Sequence, residues 1–401
     1  MVFFVLEYIR PEPFVQLKIQ MASLVVFPIL WLALPPRRRP WSRNLTLQTA
    51  FVGVCAMSAL FASNTFAAYT ATRIMYGYLV IALAATWLLA NRRDFVFAIW
   101  FWVLIMAFQA LYGVTHGGHG NGSTFDDEND LALGLNTALP FALVGIREFS
   151  GWKRWGSLTL TVLILAGIVV SLSRGGFIGL VSVTIYFVLV SRNRVRNLLI
   201  TAVGALIFFF AIPTSYKSEV ASIQDTDTGT AETRFFLWTA AFNMWRDNPV
   251  LGVGAGNSNW SVGRYQPEGR ASGMFSAPEF HDRDWTMRAV HSVFFQVLSE
   301  TGIVGSTLFI AMVVGHYRGL NSLRRRVRRH PGAPRGLRKE TEFYATAMGA
   351  AMTGYLASGA FLSVLYYPYP WYFSAFAVAW TSAVGAQLKL ATPGQSVGTQ
   401  R

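Results

Sequence analysis

Residues 291–329 read HSVFFQVLSETGIVGSTLFIAMVVGHYRGLNSLRRRVRR, a long apolar run that ends in a cluster of arginines. A helix needs about 17 to 25 predominantly apolar residues to cross the hydrocarbon of a bilayer, and the run 291–317 meets that length. Arginines directly after such a run are typical of the cytoplasmic end of a membrane helix. This stretch therefore predicts a membrane span and not the core helix of a soluble protein.

The rest of the chain has the same character. Of its 401 residues, 53% are hydrophobic and 13% are charged, which is about half the charged fraction of soluble domains. Such a composition leaves too little polar surface to cover a water-soluble globule. We therefore expect an all-α, polytopic membrane protein. The single cysteine, Cys55, rules out an internal disulfide.

Eleven apolar runs are long enough to be membrane helices, and a partial helix at 1–10 would make twelve. With eleven spans the N terminus lies outside. The predicted spans are 14–34, 46–62, 73–90, 95–112, 129–146, 156–172, 176–190, 197–213, 291–317, 343–363 and 371–388.

The basic residues follow an alternating pattern along the chain. Short loops rich in Lys and Arg stay in the cytoplasm, and every second connection here is basic. This pattern predicts a bacterial inner-membrane protein, and it assigns the net charge of +14 to topology and anionic membrane lipids, with no nucleic-acid partner. These connections hold 23 of the 34 Lys and Arg residues: 35–43, 91–94, 147–155, 191–197, 318–342 and 388–401.

One connection is much longer than the others, and the alternation places it in the periplasm. Long loops in compact proteins are usually functional, so we expect the active site there. The predicted units are an N-terminal helix bundle, a periplasmic loop with short amphipathic helices, C-terminal membrane helices and a cytoplasmic tail, at 1–213, 214–290, 291–390 and 391–401.

Two segments of this loop have recognisable patterns. The stretch 231–245, AETRFFLWTAAFNMW, has apolar residues at helical spacing and Arg234 near its start, which predicts an amphipathic helix on the outer leaflet. The next run, 246–257 (RDNPVLGVGAGN), follows no strand and contains no Gly-Lys pair. We therefore interpret its glycines as turn geometry and not as a nucleotide site.

Arg174 ends an apolar run in SLSRGG (171–176) and is followed by two glycines. Such an arginine can simply extend to lipid headgroups. The glycines, however, let a bulky anion approach the backbone, and a guanidinium binds diphosphate through two parallel hydrogen bonds. The motif alone leaves both interpretations open, and the resemblance described below favours the diphosphate.

His291 opens the ninth predicted span directly after the long loop. An imidazole there can exchange a proton with a bound hydroxyl, although a structural interfacial histidine is the alternative. Glu300 lies nine residues further on, about 13 Å deeper and on the opposite side of an ideal helix. We interpret it as a buried structural carboxylate with an unknown partner, near the glycines at 302 and 305.

The run 125–130, FDDEND, concentrates acidic residues just before a span. It could bind a divalent cation or cap the following helix. We favour the cap and expect no metal site, because this run has no second carboxylate cluster to complete a cage.

Taken together, these outward features resemble the O-antigen ligase and O-antigen polymerase superfamily of bacterial membrane glycosyltransferases. The resemblance rests on SRGG at a span end, on the arginine-led helix followed by DNPVLGVGAGN, and on HSVFFQVLSETGIVG opening the next span. The segment FDDENDLALGLNTALP is especially similar to the ligase-like branch associated with O-glycosylation. The chain departs from the commonest pattern at Ser292, where Asn often follows the histidine.

The resemblance implies transfer of a glycan from undecaprenyl diphosphate to an acceptor hydroxyl at the periplasmic face, without metal, cofactor or nucleotide sugar. The functional residues of the family, two arginines and a histidine, correspond to Arg174, Arg234 and His291. We add Arg288 and Trp238 as further substrate-binding candidates. The resemblance leaves the acceptor open between lipid A core, a growing polysaccharide and a protein. A polysaccharide flippase is the alternative from another class.

Overall fold

A computed structural model describes residue 8 and residues 19–33, 41–122, 125–190, 194, 228–266 and 287–391. The secondary structure of these residues is α-helical, without strands, which confirms the predicted all-α membrane class. The helices are α1 (Ile19–Ala33), α2 (Arg43–Ser58), α3 (Thr65–Leu88), α4 (Arg92–Thr115), α5 (Glu128–Glu148), α6 (Trp152–Val170), α7 (Arg174–Val190), α8 (Thr228–Asp247), α9 (Ser258–Ser261), α10 (Val293–Arg329), α11 (Arg335–Gly359) and α12 (Tyr369–Leu390).

Ten of the eleven predicted spans coincide with helices, namely α1 to α7 and α10 to α12. By length and composition, five helices of the described chain are apolar enough to cross a membrane: α3, α4, α5, α6 and α10. The predicted span 197–213 lies outside the described residues, as does the partial helix at 1–10 apart from Tyr8. The structure therefore supports a multi-pass protein.

Two predicted boundaries are wrong at the basic connection 318–342. Helix α10 continues to Arg329 and α11 already begins at Arg335, so the connection is the short turn 330–334, HPGAP. Arginine, lysine and leucine are good helix formers, and the extension of α10 buries an apolar face at Leu320, Leu323 and Val327. The prolines and glycine of the turn end the helix.

The described connections gather at two ends of the bundle. One end holds 116–127, 171–173 and 360–368, and we call it the site end. There the backbone of Gly118 packs against Ser171. The backbone N–H of His291 also donates to Ser363 Oγ at this end, 2.9 Å away.

The opposite end, which we call the arginine end, holds the turns 149–151 and 330–334. Phe149 packs against Phe343 there, and Arg92 pairs with Glu340. Three basic connections of the sequence, 91–94, 147–155 and 318–342, thus meet at one end, as the alternation predicts.

Small residues bring α5, α7 and α11 into close contact. Gly176 leaves no room for a Cβ beside Ala132, and Gly179 lies against Asn136 and Ser358. The Asn136 amide donates to Gly176 O at 2.7 Å. Close approach at small residues is a common way for membrane helices to associate. It fixes the start of α7, where the SRGG motif lies.

Candidate functional site

Helix α10 is broken at Gly302, which has the left-handed φ of 62°. The run after α8 fits into this break. Val253 N–H donates to Ser299 O at 2.8 Å, and Ile303 N–H donates to Pro249 O at 2.9 Å. The run 249–254 thus replaces hydrogen bonds that the broken helix has lost, and it joins α8 rigidly to the first half of α10. The predicted turn geometry of the glycine-rich run is confirmed: Gly252 and Gly254 have positive φ.

Glu300 is buried, as predicted, and the structure supplies its partners. Its carboxyl oxygens accept from Ser258 Oγ at 2.5 Å, from Gly256 N–H at 2.7 Å and from the Tyr366 hydroxyl. Gln296 Nε2 lies at 3.4 Å. We call Glu300 and these four donors the Glu300 cluster. It connects α10, the run after α8 and the connection 360–368.

Helix α8 is amphipathic, as predicted. Its inner face, Phe236, Leu237, Ala240 and Met244, is buried against Val253 and Val262. Its other face carries two of the predicted site residues, Arg234 and Trp238. Because the inner face is anchored, this second face has a fixed orientation.

Arg234 and Trp238 lie one turn apart on that second face. The Arg234 guanidinium carbon stands 5.8 Å from the centre of the Phe361 ring, a cation–π distance. Trp238 stacks on Phe295 at 5.3 Å and lies 6.3 Å from Phe361. The predicted binding residue Trp238 therefore belongs to an aromatic cluster that supports Arg234.

Arg174 is the first residue of α7 and is exposed. Leu172, just before it, has a left-handed φ of 56°, an uncommon conformation for a side chain of this type. Ser173 caps the helix, since Gly176 N–H donates to its Oγ at 2.9 Å. A helix N terminus carries partial positive charge, so Arg174 and the helix dipole attract an anion to the same place.

The backbone next to Arg174 reaches the connection 360–368. A Cβ built on Gly175 would lie 4.0 Å from Phe361 Cβ and 3.6 Å from Ser358 O. Phe361 therefore has the start of α7 on one side and Arg234 on another. The backbone beside Arg174 thus lies next to the residue whose ring stands under Arg234.

His291 directly precedes α10 and also has a left-handed backbone, with φ 53°. Its hydrogen bond to Ser363 holds it in this conformation. Burial lowers the pKa of His291 below its usual 6.5, and the charges of Arg234 and Arg288 lower it further, while Asp127 opposes them. The residue keeps contact with solvent, so a neutral imidazole is available beside two guanidinium groups.

The acidic run 125–130 caps α5, as predicted. Asp127 is the N-cap and accepts from Asn129 N–H at 2.7 Å. Asn129 accepts from Ser173 Oγ at 2.6 Å, and Asp130 accepts from the Tyr367 hydroxyl at 2.7 Å. Among the described residues, no group of three His, Cys, Asp or Glu could hold a metal ion. The run thus ties α5 to the SRGG motif and to 360–368.

The connection 360–368 contributes to the site through Phe361, Ser363, Tyr366 and Tyr367, none of which sequence reasoning identified. The absence of Lys and Arg from this connection predicted that it lies on the outer side, but no sequence motif indicated a function for it. The stretch FLSVLYYPYP is rich in aromatics for so short a connection. That enrichment was the available signal.

Residues 159–310 match a family model described as O-antigen ligase. The matched region runs from α6 into α10 and includes Arg174, Arg234, Arg288 and His291. A comparison with curated proteins gives no match.

Proposed function

We propose that this multi-pass membrane protein, whose residues 159–310 match the O-antigen ligase family model, transfers a glycan from undecaprenyl diphosphate to an acceptor hydroxyl. The observation that carries the proposal is the placement of Arg234 and His291 around the connection 360–368. A guanidinium that can hold a leaving diphosphate thus lies beside an imidazole that can accept a proton.

In the proposed reaction, Arg174 and Arg234 bind the diphosphate of the donor. The acceptor hydroxyl gives its proton to the neutral imidazole of His291 while its oxygen attacks the anomeric carbon. The bond between that carbon and the diphosphate oxygen breaks, and undecaprenyl diphosphate leaves. The arginines stabilise the negative charge that develops on the leaving oxygen.

The electrostatics favour this assignment of the base. The environment that lowers the pKa of His291 keeps the ring neutral at pH 7, which a general base requires. Arg288, exposed and close enough to act on His291, adds positive charge for the donor. Trp238 acts indirectly, by holding Phe361 beneath Arg234. Three guanidinium groups supply the charge compensation that a divalent cation gives in other diphosphate sites, so we propose a metal-independent reaction without a cofactor.

We propose that the site faces the periplasm of a bacterial inner membrane and that lipid A core is the first acceptor to test. Sidedness is measurable with single cysteines in a Cys55→Ser background. Ser322→Cys at the arginine end and Gly263→Cys after α9 are both exposed positions. An impermeant thiol reagent should label Gly263→Cys in intact spheroplasts and Ser322→Cys only after lysis. The reverse pattern would overturn the orientation.

Activity is tested with the purified protein in lipid nanodiscs, supplied with undecaprenyl-diphosphate glycan and one acceptor at a time. The acceptors are lipid A core, a polysaccharide repeat unit and a serine-containing protein, and mass spectrometry identifies the product. We expect a glycan-linked acceptor together with free undecaprenyl diphosphate. A product on the repeat unit or on the protein alone would assign the polymerase or the protein transferase activity instead. Intact donor with every acceptor would overturn the proposal.

A further inference from the structure

We propose that Glu300 and Tyr366 form a positioning pair that holds the connection 360–368 in place and, through it, orients His291 for catalysis. This inference rests on the proposed function. It assigns a role to a buried carboxyl group that the transfer reaction itself does not use.

Within the Glu300 cluster, the Glu300 carboxyl group accepts hydrogen bonds from several donors at once. Ser258, Gly256 and Tyr366 all donate to it, and Gly256 N–H is also 2.8 Å from the Tyr366 hydroxyl oxygen. A buried donor that loses its acceptor destabilises the folded protein. Tyr366 is therefore firmly fixed to α10 and to the run after α8.

A second bond fixes the same part of the connection. Leu365 N–H donates to Gln296 Oε1 at 3.1 Å. Gln296 lies one helical turn before Glu300 on α10, so one face of this helix holds two successive residues of 360–368. Side chains that are buried, as Gln296 and Glu300 are, offer well-defined attachment points.

The fixed residues are close in sequence to those that touch the site. Ser363, three residues before Tyr366, accepts the hydrogen bond from His291 N–H. Phe361 lies beneath Arg234. A displacement of Tyr366 and Leu365 would therefore move the acceptor of the His291 backbone and the ring under Arg234 together.

Glu300 itself does not reach the reacting atoms. It lies seven residues after Val293, the first residue of α10, which is about 10 Å along the helix, whereas His291 precedes the helix. Its hydrogen-bond partners are protein groups of three segments. It therefore acts through the connection and is a positioning residue.

Loss of the positioning pair has a specific electrostatic consequence. Charged groups face His291 from three elements: Arg234 on α8, Arg288 on the segment before α10, and Asp127 at the start of α5. The connection 360–368 contributes Ser363, which is not titratable at this pH. Release of the connection should hydrate His291 and move it away from Arg234, and both changes raise its pKa toward the usual 6.5.

The test uses Tyr366→Phe, which removes one donor and keeps the ring, and Glu300→Gln, which replaces one acceptor oxygen by an amide donor and keeps the size. Tyr317→Phe is the matched control, because it removes a partly buried hydroxyl that bonds Thr353 at 2.7 Å between α10 and α11. Diethyl pyrocarbonate reacts with neutral imidazole, so its rate at His291 across pH, quantified on peptides by mass spectrometry, reports the pKa without needing activity. The pH profile of transfer is measured on the same nanodisc samples.

For both positioning variants we expect two midpoints to rise together by about 0.5 pH units or more. One is the midpoint of His291 modification across pH, and the other is the midpoint of the acid limb in the pH profile of transfer. We expect turnover at pH 7 to fall about tenfold, because misplaced catalytic groups lose rate. Tyr317→Phe should keep the wild-type values. Unchanged midpoints in both variants, with only less folded protein, would overturn the positioning role. If the transfer rate of the wild type did not change as His291 becomes protonated, the proposed function would be contradicted. The rates of diethyl pyrocarbonate modification would then still show whether the two variants change the pKa of His291.

Discussion

The two ends of the helix bundle use arginine in opposite ways. At the arginine end, guanidinium groups lie on regular helices and meet carboxylates: Arg324 and Arg328 lie 3.6 and 3.0 Å from Glu342. At the site end, Arg234 lies over an aromatic ring and beside His291. Leu172 and His291, also at the site end, both have left-handed backbone conformations.

The arginines at the arginine end therefore mainly stabilise the fold, whereas Arg234 at the site end lies beside His291 and can act on a ligand. A partly exposed ion pair contributes only about 0.2 to 1 kcal/mol, and regular helix geometry is enough to form it. A left-handed non-glycine residue costs about 1 to 3 kcal/mol and persists only where the surroundings fix it. Substitutions at the site end should therefore mainly change catalysis, and those at the arginine end should mainly change stability.

The largest effect is expected at His291. His291→Ala should insert and bind the donor normally, while turnover falls by roughly 10² or more, since general base catalysis contributes that much. His291→Gln retains a hydrogen-bonding group but cannot accept a proton at neutral pH, so it should be equally impaired. Steady-state transfer rates and donor binding in nanodiscs check this.

The same role of His291 also predicts in which direction the transfer rate of the wild type changes with pH. The base works only when neutral, and the pKa of His291 is lowered. Transfer should therefore be complete at pH 7 and be lost as the pH falls through a value below the usual 6.5. A wild-type acid limb at or above 6.5, or near-native turnover in His291→Gln, would contradict proton abstraction by this residue.

The two site arginines should show the next largest effect. Arg174→Lys and Arg234→Lys keep the charge but lose the planar fork that binds two diphosphate oxygens. We expect each to insert normally and lose about tenfold or more in transfer. Arg325→Lys at the arginine end, an exposed position, is the control and should transfer at the wild-type rate. Equal rates in all three variants would mean that the site arginines serve only lipid headgroups.

Two glycine substitutions on α10, one at the helix break and one near the arginine end, should differ in their effect on the free energy of unfolding. Gly302→Ala places a Cβ against the backbone of Val250 at a positive φ, so we expect a loss of about 1 to 3 kcal/mol. Gly319→Ala, on α10 near the arginine end, has open space around the new Cβ and should be neutral or stabilising by up to about 1 kcal/mol. Thermal unfolding of both variants in detergent measures the difference. Equal melting temperatures would show that the break in α10 is not held by its neighbours.

The smallest effect is expected at the arginine end itself. Glu342→Gln removes the carboxylate shared by Arg324 and Arg328. Glu342 is partly exposed and Arg328 is exposed. The buried Arg324 keeps its hydrogen bonds to Asn321 and Thr346, so we expect a loss of about 1 kcal/mol at most. Transfer should be unchanged. A clear drop in turnover with intact stability would show that the two ends are coupled and would break the division between them.

The fold was largely predictable because a bilayer leaves a strong signal in the sequence. Apolar runs located ten described helices, and the distribution of Lys and Arg predicted that the basic connections 91–94, 147–155 and 318–342 meet at one end. The ends of α10 and α11 were wrong because hydropathy stops where the membrane stops, whereas the helices continue to Arg329 and from Arg335.

The site was predictable only in part. Resemblance pointed to Arg174, Arg234 and His291, which lie in recognisable motifs and whose roles stay predictions. It could not reveal Ser363 or Tyr366, because their contacts join positions 72 and 66 residues apart and leave no periodicity. The partner of Glu300 was invisible for the same reason, since buried hydrogen bonds between distant segments depend on how the helices pack.

The break at Gly302 also has a consequence for biogenesis. Ribosomes deliver 249–254 before α10, so the run that completes the broken helix is already synthesised when α10 enters the bilayer. Unsatisfied backbone groups are costly in lipid, which favours docking of the two as a unit during insertion. Residues 360–368 emerge later, between α11 and α12, and they bring the acceptor for His291 N–H and the ring for Arg234. On the proposed function, catalytic competence is acquired late in translation, when the last helical hairpin is in place, and a nascent chain without that hairpin holds Arg234 and His291 in an unfinished arrangement.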